Sequence, residues 1–267
     1  MDDLQKKCRV TRVELMVSLG KVKKLPRLLF AFASLAKKRS WGPFLEAWET
    51  TRFDHAFSVS WSQGGEDLAL LQLLPSRPGR YIDVGAHHPS RFSVTRHLYQ
   101  KGWRGINIDA NPEAIAKFIQ DRPEDISLNL CVGTQGSYTF HIFDEPAIST
   151  SNVEWKAKFI NENQTIKTSL EIEGVALFKI ISENFESHPD LLIVDAEGSD
   201  YDVLESCRWS ELPKDLWPFW IVCETTPPAI AAQASPQVKL LLSLGYQIQC
   251  ILPMSTILRL DDTNLSK

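Results

Sequence analysis

The chain has 267 residues, of which 43% are hydrophobic and 23% are charged; this length and composition exclude an intrinsically disordered protein and allow a large buried core. Its five cysteines are odd in number, widely scattered and without a CxxC pair, which argues against a zinc ribbon and a disulfide framework and favours a protein of the reduced cytoplasm. The net charge of −4 is unevenly distributed, because the first forty residues carry eleven Lys or Arg against three Asp or Glu.

Residues 1–57 are predicted to form a basic, helical N-terminal extension. Its longest apolar run, Leu28–Ala36, has nine residues, far fewer than the roughly 20 that a membrane span needs, and no clear secretory cleavage site follows it. Two interpretations stay open. Residues 1–40 contact an anionic membrane surface as a peripheral amphipathic segment, or they form a solvated helix packed on the acidic remainder of the chain. Nucleic acid is not expected as a partner, because no aromatic residues are interleaved with the charges.

Residues 58–267 alternate between predicted strands and helices and form the second predicted domain. Helices are expected over 63–74, 94–100, 112–119, 175–184, 201–206 and 236–244, and strands over 80–84, 105–108, 126–132, 138–143, 165–172, 191–195, 219–224, 246–251 and 256–260. Residues 146–163 are predicted to be a loop or an insertion. The alternation predicts an α/β fold with a doubly wound, mostly parallel, seven-stranded Rossmann-like sheet. Ligands of such sheets bind at the carboxyl ends of the strands, where the strand order reverses.

The first predicted strand leads into the sequence Y-I-D-V-G-A-H-H-P, which carries a single glycine, Gly85. A dinucleotide site requires further glycines so that the backbone can approach a pyrophosphate, and His87 and Ser90 stand at those positions. S-adenosylmethionine has no phosphate; it requires a glycine at the turn, an anion for its ammonium group and an acid for its ribose. Asp83 suits the ammonium group, and Asp109, which ends the next strand, suits the ribose hydroxyls. Each acid alone could be a helix N-cap, but the pair at this spacing favours a nucleoside site.

Four segments together resemble the FkbM family of methyltransferases, and the resemblance spans about residues 60–226. They are Trp61–Asp67 (W-S-Q-G-G-E-D), Tyr81–Pro89, Gly102–Pro112 (G-W-R-G-I-N-I-D-A-N-P) and Asp195–Gly198 (D-A-E-G). The resemblance implies a class I methyltransferase fold, S-adenosylmethionine as methyl donor, usually O-methylation, and an acceptor from glycan or secondary-metabolite pathways. The sequence departs from the family in two places: Ile193 stands where a lysine is often found, and Asp109 where a glutamate is common.

The predicted donor site combines the assignments made from the residues with those implied by the family. It consists of Gln63, Glu66, Asp67, Asp83, Gly85, Ala86, His87, Asp109, Ala110, Asn129 and Asp195. The approach of Gln63, Glu66 and Asp67 to the donor is implied by the resemblance; the alternative is that the two acids only face the positive end of a helix dipole. Asn129, on the third strand, is expected beside the adenine.

Methyl transfer to a hydroxyl requires that the acceptor proton be removed, by a base or by a metal that lowers the pKa of the hydroxyl. Asp195, Glu197 and Glu224 end or follow neighbouring strands and are the predicted catalytic candidates, with His87, whose imidazole titrates near neutrality. A divalent ion held by Asp195 and Glu224 is the alternative. We expect catalysis without a metal, because three protein oxygen ligands are not evident. Trp155, in a loop-like region, is explained either by core packing or by stacking on a sugar.

The predicted function is an S-adenosylmethionine-dependent O-methyltransferase that acts on a glycan or a small metabolite. The alternatives are transfer to nitrogen or to a carboxyl group, a non-catalytic nucleoside-binding domain, and an NAD-dependent oxidoreductase. The expected location is cytoplasmic, with peripheral membrane contact if residues 1–40 bind anionic lipid.

Overall fold

The computed structural model describes residues 58–225 and 234–261. The predicted basic extension lies outside the described residues, so its membrane contact and the boundary between the two predicted domains stay predictions. Within the described ranges, no helix is both long and apolar enough to cross a membrane. The cysteines described there, Cys131, Cys207, Cys223 and Cys250, are free thiols.

The described residues form helices and strands that largely alternate along the chain. The helices are α1 (Glu66–Leu73), α2 (Arg96–Gln100), α3 (Pro112–Asp121), α4 (Val153–Asn161), α5 (Leu177–Asn184), α6 (Asp200–Glu205) and α7 (Pro236–Ser243), with 3₁₀ turns at Pro146–Ile148 and Lys214–Leu216. The strands are β1 (Arg80–Val84), β2 (Arg104–Asp109), β3 (Ile126–Asn129), β4 (Cys131–Val132), β5 (Gly136–Phe143), β6 (Ile166–Val175), β7 (Leu191–Val194), β8 (Trp220–Glu224), β9 (Tyr246–Ile251) and β10 (Ser255–Leu260).

Two sheets are present among the described residues, and the larger has seven strands in the order β3-β2-β1-β7-β8-β10-β9. β1 pairs in parallel with β2 and β7, β2 with β3, and β7 with β8, whereas β10 is antiparallel to β8 and β9. The predicted doubly wound, mostly parallel sheet of seven strands is therefore confirmed. The strand order reverses between β1 and β7, so the crevice at their carboxyl ends is the expected ligand site.

The central strand β7 shows why the sequence has a continuous apolar run at this position. Leu192 and Val194 belong to one buried hydrophobic cluster, and Leu191 and Ile193 belong to another. Because successive side chains of a strand point to opposite faces, the two clusters lie on the two sides of the sheet. A parallel strand that is covered on both faces has no solvent-exposed face, so its sequence does not alternate between apolar and polar residues.

A second, three-stranded sheet has the order β4-β6-β5, and the sequence did not distinguish it from the first. One strand was expected over 126–132. In the structure this segment is divided: β3 joins the large sheet and β4 pairs with β6. Both halves are short, and strand pairing between distant segments leaves no local signal, which explains the error.

The segment 146–163, predicted as a loop or insertion, contains the helix α4. Asn152 caps this helix, because its Oδ1 accepts hydrogen bonds from the backbone N–H groups of Glu154 (2.9 Å) and Trp155 (3.0 Å). Phe159 is the buried residue of the helix. A helix that buries so little of itself shows a weak apolar periodicity, and the cap was its main sequence signal.

Candidate functional site

Two adjoining cavities open at the carboxyl ends of β1 and β7. The narrow cavity, of about 70 Å³, is lined from β2, the β3–β4 connection and β5, including Asp109, Leu130 and Phe140. The wide cavity, of about 280 Å³, includes Trp155 and Glu224 in its lining. The residues that line both cavities are Gly85, His87, Ala147, Asp195 and Glu197. The two cavities therefore meet at the loops that follow β1 and β7.

Gly85 allows these two loops to approach each other closely. Its φ is 78°, in the left-handed region, and a Cβ at this position would overlap the carbonyl oxygen of Asp195. The backbone N–H groups of Gly85 and Ala86 both donate to the carbonyl oxygen of Ile108 (3.0 Å each), which ties the loop to β2. Only glycine satisfies both the conformation and the close approach without strain.

Asp109, at the end of β2, holds the loop after β1 through its carboxylate. Oδ2 accepts a hydrogen bond from the backbone N–H of His87 (2.8 Å), and Oδ1 accepts one from Asn111 (2.7 Å). Burial raises the pKa of Asp109 to about 6, against the lowering effect of these two N–H groups. The carboxylate also lines the narrow cavity. A carboxylate oxygen can accept more than one hydrogen bond, so this side chain is chemically suited to bind hydroxyl groups in the cavity as well.

Asp83, on β1, is 5% exposed and lines the wide cavity. The Thr95 hydroxyl donates a hydrogen bond of 2.8 Å to its Oδ2. Burial raises the pKa of Asp83 to about 6, while the Thr95 hydroxyl and the Arg122 guanidinium act in the opposite direction. An anion in this position is suited to a cationic group of a ligand.

Three further acids, Asp195, Glu197 and Glu224, converge on the wide cavity. The Asp195 side chain is exposed to the cavity, and its desolvation by the surrounding walls, followed by the charge of Glu224, raises its pKa. Burial, followed by the charge of Asp195, raises the pKa of Glu197 to about 9. Carboxyl groups crowded in this way are stabilised by a positive charge placed between them.

The loop that carries these acids has an unusual backbone. Glu197 has a φ of 44° and Gly198 has a φ of 91°, so two consecutive residues are left-handed. Such a conformation is uncommon for a residue other than glycine and costs free energy, and residues of this kind are concentrated at functional sites. Thr150 donates to the carbonyl oxygen of Glu197 (2.8 Å) and Asn152 to that of Gly198 (2.9 Å), which holds the loop in place.

His87, a predicted catalytic and donor-binding residue, lines both cavities. Burial, together with the positive charge of Arg91, lowers its pKa to about 4. The imidazole is therefore neutral at pH 7 and a weak base, so its chemistry is better suited to hydrogen bonding than to removing a hydroxyl proton.

Of the remaining predicted donor residues, three line the cavities. Gln63 and Ala86 line the wide cavity, and Ala110 lines the narrow one. Glu66 lines a smaller recess of about 50 Å³. Its Oε1 accepts a hydrogen bond from the Ser255 hydroxyl (2.8 Å), so α1 is tied to β10 at this point.

Asp67 and Asn129 are placed outside the lining of these cavities. Asp67 is fully buried and accepts hydrogen bonds from the Ser60 hydroxyl (2.7 Å) and the Trp61 backbone (2.7 Å), which fixes the segment before α1. Asn129 donates through its Nδ2 to the carbonyl oxygens of Asp109 (2.9 Å) and Ala110 (3.0 Å). Both side chains therefore support the backbone around the site. Leu130, the residue after Asn129, lines the narrow cavity.

The helix α4 adds Lys158 and Phe159, which the sequence did not assign to the site, and Trp155, for which stacking on a sugar was one of two interpretations. Trp155, Lys158 and Phe159 line the wide cavity. The Trp155 indole occupies the space that a Cβ on Gly198 would need, and the Lys158 ammonium lies 4.0 Å from the centroid of the Trp155 ring. The cap at Asn152 was the available signal for this helix, but its position over the loop after β7 depends on the tertiary fold.

An exposed ion pair joins the loop after β1 to the 3₁₀ turn that begins at Pro146. Arg91 donates to both carboxylate oxygens of Glu145, at 2.7 and 2.8 Å. The turn contributes Ala147 to both cavities. No group of three or more His, Cys, Asp or Glu among residues 58–225 and 234–261 is arranged to hold a metal ion.

The residues present fit S-adenosylmethionine. The narrow cavity offers the Asp109 carboxylate for ribose hydroxyls and apolar walls from Leu130 and Phe140 for a base. The wide cavity offers carboxylates, among them Asp83 and Asp195, for the ammonium and sulfonium charges. The absence of a Cβ at Gly85 lets the Asp195 carbonyl approach the loop after β1, where the two cavities meet.

Known structures with a similar overall arrangement include several methyltransferases. The FkbM methyltransferase of Methylobacillus flagellatus KT is 11% identical, with a TM-score of 0.43 over 87% of this chain and 59% of that chain, so the present chain spans less than two thirds of its length. A TehB-like SAM-dependent methyltransferase of Corynebacterium glutamicum is 13% identical, with a TM-score of 0.38 over 74% of this chain and 88% of the other. The 1,6-didemethyltoxoflavin-N1-methyltransferase of Burkholderia thailandensis, solved with 1,6-didemethyltoxoflavin and S-adenosylhomocysteine, is 12% identical, with a TM-score of 0.38 over 74% and 77%.

A search of curated proteins finds no match to this sequence. The family model of the methyltransferase FkbM domain, in contrast, matches residues 83–248, more than half of the chain. The match includes the loops after β1, β2 and β7, the strand β8 and the helix α4, and it leaves the segment Trp61–Asp67 outside. The chain therefore belongs to the FkbM family of S-adenosylmethionine-dependent methyltransferases.

Proposed function

We propose that this methyltransferase transfers the methyl group to a hydroxyl of a glycan or small metabolite, with Glu197 as the base. The observation that carries the proposal is the position of Glu197, which lines both the narrow cavity, assigned to the nucleoside of the donor, and the wide cavity, where the sulfonium would meet the acceptor. Burial and the neighbouring acids raise the pKa of Glu197 to about 9, so it becomes a base when the positive charge of the bound donor favours its ionised form, and it is then a stronger base than an ordinary carboxylate.

The wide cavity has the composition of a site for a polyhydroxylated acceptor. Phe92, Trp155 and Met254 provide apolar surface, and Glu197 and Glu224 provide hydrogen-bond acceptors in the same lining. Sugars present a C–H face that packs on apolar and aromatic side chains and a rim of hydroxyl donors. The stacking role considered for Trp155 is supported by its place in this lining, while its contact with Gly198 also gives it a packing role.

The reaction needs few steps from the protein. The donor supplies an electrophilic methyl group on a positively charged sulfur. Glu197 takes the hydroxyl proton as the acceptor oxygen forms its bond to the methyl carbon, and the electron pair of the breaking carbon–sulfur bond stays on sulfur. Asp195, at the junction of the cavities, faces the charge that is lost during transfer, and positioning of the two reactants supplies much of the rate.

A methyl-transfer assay with labelled donor and matched acceptor panels tests the proposal. Hydroxyl, amine and carboxyl acceptors are compared, and we expect label only in the products of hydroxyl acceptors. Glu197→Gln should lower kcat by about 10²–10⁴-fold while donor affinity stays within a few-fold, since general-base catalysis has this magnitude. Glu205→Gln, on the exposed side of α6, is the matched control and should keep full activity. Label found only in amine or carboxyl products would contradict the proposal.

A further inference from the structure

A buried polar network centred on Arg122 lies behind the donor site. Arg122 follows α3 and is 0% exposed. Its Nη2 donates to the Pro89 carbonyl oxygen (2.6 Å) and to the Ser93 hydroxyl (2.9 Å), and its Nη1 donates to the Thr95 hydroxyl (2.8 Å). A buried guanidinium is costly unless it is paired, so this arrangement requires an explanation beyond packing.

The network reaches Asp83 through a single hydroxyl group. Thr95 Oγ1 accepts a hydrogen bond from Arg122 and lies 2.8 Å from Asp83 Oδ2. A guanidinium only donates, and a hydroxyl has one proton. The Thr95 proton is therefore directed at the Asp83 carboxylate, and the charge of Arg122 polarises that hydroxyl in the direction that strengthens the bond.

The nitrogen of Arg122 that contacts Thr95 also reaches groups that balance the charge of the guanidinium. Nη1 also donates to the Tyr81 hydroxyl (3.2 Å), and that hydroxyl donates to Asp125. Asn107 Nδ2 donates to the same Asp125 oxygen (3.0 Å). The charged and titratable groups around Asp83 are thus Tyr81, Asp109, Arg122, Asp125 and Asp195. Arg122 is the cation of this set, and the charges of Asp109 and Asp125 oppose the ionisation of Asp83.

We propose that Arg122, acting through Thr95, is a positioning residue that holds the Asp83 carboxylate ionised and oriented toward the ammonium group of the donor. The inference rests on the assignment of Asp83 as the ammonium site. It explains why the Arg122 guanidinium is buried beside the loop after β1, although Arg122 does not line either cavity. It also explains why the same side chain holds the carbonyl of Pro89 and the hydroxyl of Ser93, because these contacts fix the loop that carries Thr95.

The test is the pH dependence of donor affinity, measured by calorimetric titration with S-adenosylmethionine and no acceptor. Binding to Asp83 needs its ionised form, so affinity falls as the pH is lowered through the pKa of Asp83, about 6. In Thr95→Val, which has the same shape but no hydroxyl, this fall should move to higher pH by about one unit, because a hydrogen bond to a charged group is lost. Thr95→Ser restores the hydroxyl and should follow the parent profile.

Two further variants separate the possible failures. Asp83→Asn should weaken the donor at least about tenfold near pH 7.5; unchanged affinity would overturn the ammonium assignment and the inference with it. Weakening in Asp83→Asn combined with coincident pH profiles for Thr95→Val and Thr95→Ser would overturn the inference alone. Arg122→Met should reproduce the shift seen in Thr95→Val where it folds, and the Thr95 pair decides the matter where it does not. The acceptor plays no part in these measurements, so they are independent of which group is methylated.

Discussion

Replacement of Gly85 by alanine tests whether the loops after β1 and β7 approach as closely as described. The φ of 78° at this position places an alanine in the left-handed region, which costs about 1–2 kcal/mol. The new Cβ would also overlap the carbonyl oxygen of Asp195, a backbone atom that cannot rotate away. Overpacking of this kind costs about 1–3 kcal/mol. We therefore expect a loss of about 2–5 kcal/mol in the free energy of unfolding from Gly85→Ala, the sum of these two costs.

Two other glycines provide controls that separate the two costs. Gly65 has a φ of 85°, and a Cβ added there would have nothing within 4 Å, so Gly65→Ala should lose only the conformational part, about 1–2 kcal/mol. Gly136 has open space and no left-handed φ, so Gly136→Ala should change stability by less than about 0.5 kcal/mol.

The assay is urea unfolding followed by circular dichroism, with donor affinity measured on each folded variant. The urea midpoints should fall in the order Gly136→Ala, Gly65→Ala, Gly85→Ala, with similar slopes. Donor affinity should be lost only in Gly85→Ala, because a displaced Asp195 carbonyl moves the junction between the cavities. Equal midpoints for Gly85→Ala and Gly65→Ala would refute the reasoning.

Three further predictions concern the acids of the site. Asp109→Asn should weaken the binding of both S-adenosylmethionine and adenosine by about tenfold or more, because one acceptor of a charge-assisted hydrogen bond is lost. Asp83→Asn should weaken the binding of S-adenosylmethionine only, because adenosine has no ammonium group. Titration of each variant with both ligands distinguishes the two roles, and equal losses of affinity for the two ligands in both variants would contradict this assignment. Glu145→Gln should change the free energy of unfolding by less than about 1 kcal/mol, since its ion pair with Arg91 is exposed. The same variant should speed donor release several-fold in stopped-flow experiments at low salt. An unchanged release rate would show that the ion pair does not hold the 3₁₀ turn at Pro146. Glu197→Gln should raise the urea midpoint, relative to the parent, more at pH 8.5 than at pH 6. The pKa of Glu197 in the folded protein, about 9, lies above the unfolded value of 4.5. The parent therefore loses stability as the pH rises from 4.5 to about 9, and the amide variant does not.

The central strands β1, β7 and β8 of the large sheet could be predicted from the sequence because they are buried on both faces. The expected strand over 80–84 coincides with β1, and those over 191–195 and 219–224 differ from β7 and β8 by one residue at an end. Apolar runs bounded by turn residues give a strong signal in such strands. The closing pair β9 and β10 was likewise expected as a hairpin.

The cofactor class also followed from the sequence, since it depends on residues close together in the chain. The single glycine after β1 excluded a pyrophosphate, and Asp109 at the end of the next strand supplied a partner for a ribose. Consecutive parallel strands end at the same edge of a sheet, so these two residues were expected at one site. Asp83 and Asp109 were expected at the ends of neighbouring strands, and β1 and β2 do pair in parallel, with Val84 opposite Ile108.

The tertiary structure decided which of the predicted residues face the ligand cavities. Asp67 and Asn129 were reasonable ligand contacts by position, but their side chains are turned to backbone and hydroxyl partners behind the site. The direction in which such a side chain points depends on the local turn of the backbone, and the periodicity of strands and helices in the sequence does not specify that turn.

What the sequence determined by itself was the fold class, the methyl donor and the set of acids at the strand ends, because each follows from local periodicity and from the geometry shared by all parallel sheets. Only the tertiary structure revealed that α4 crosses to the loop after β7 and brings Trp155 and Lys158 into the wide cavity. It alone joined Arg122 to Asp83, 39 positions apart in the chain, through Thr95. These contacts join segments distant in the chain, and no pattern along one segment encodes what will pack against it.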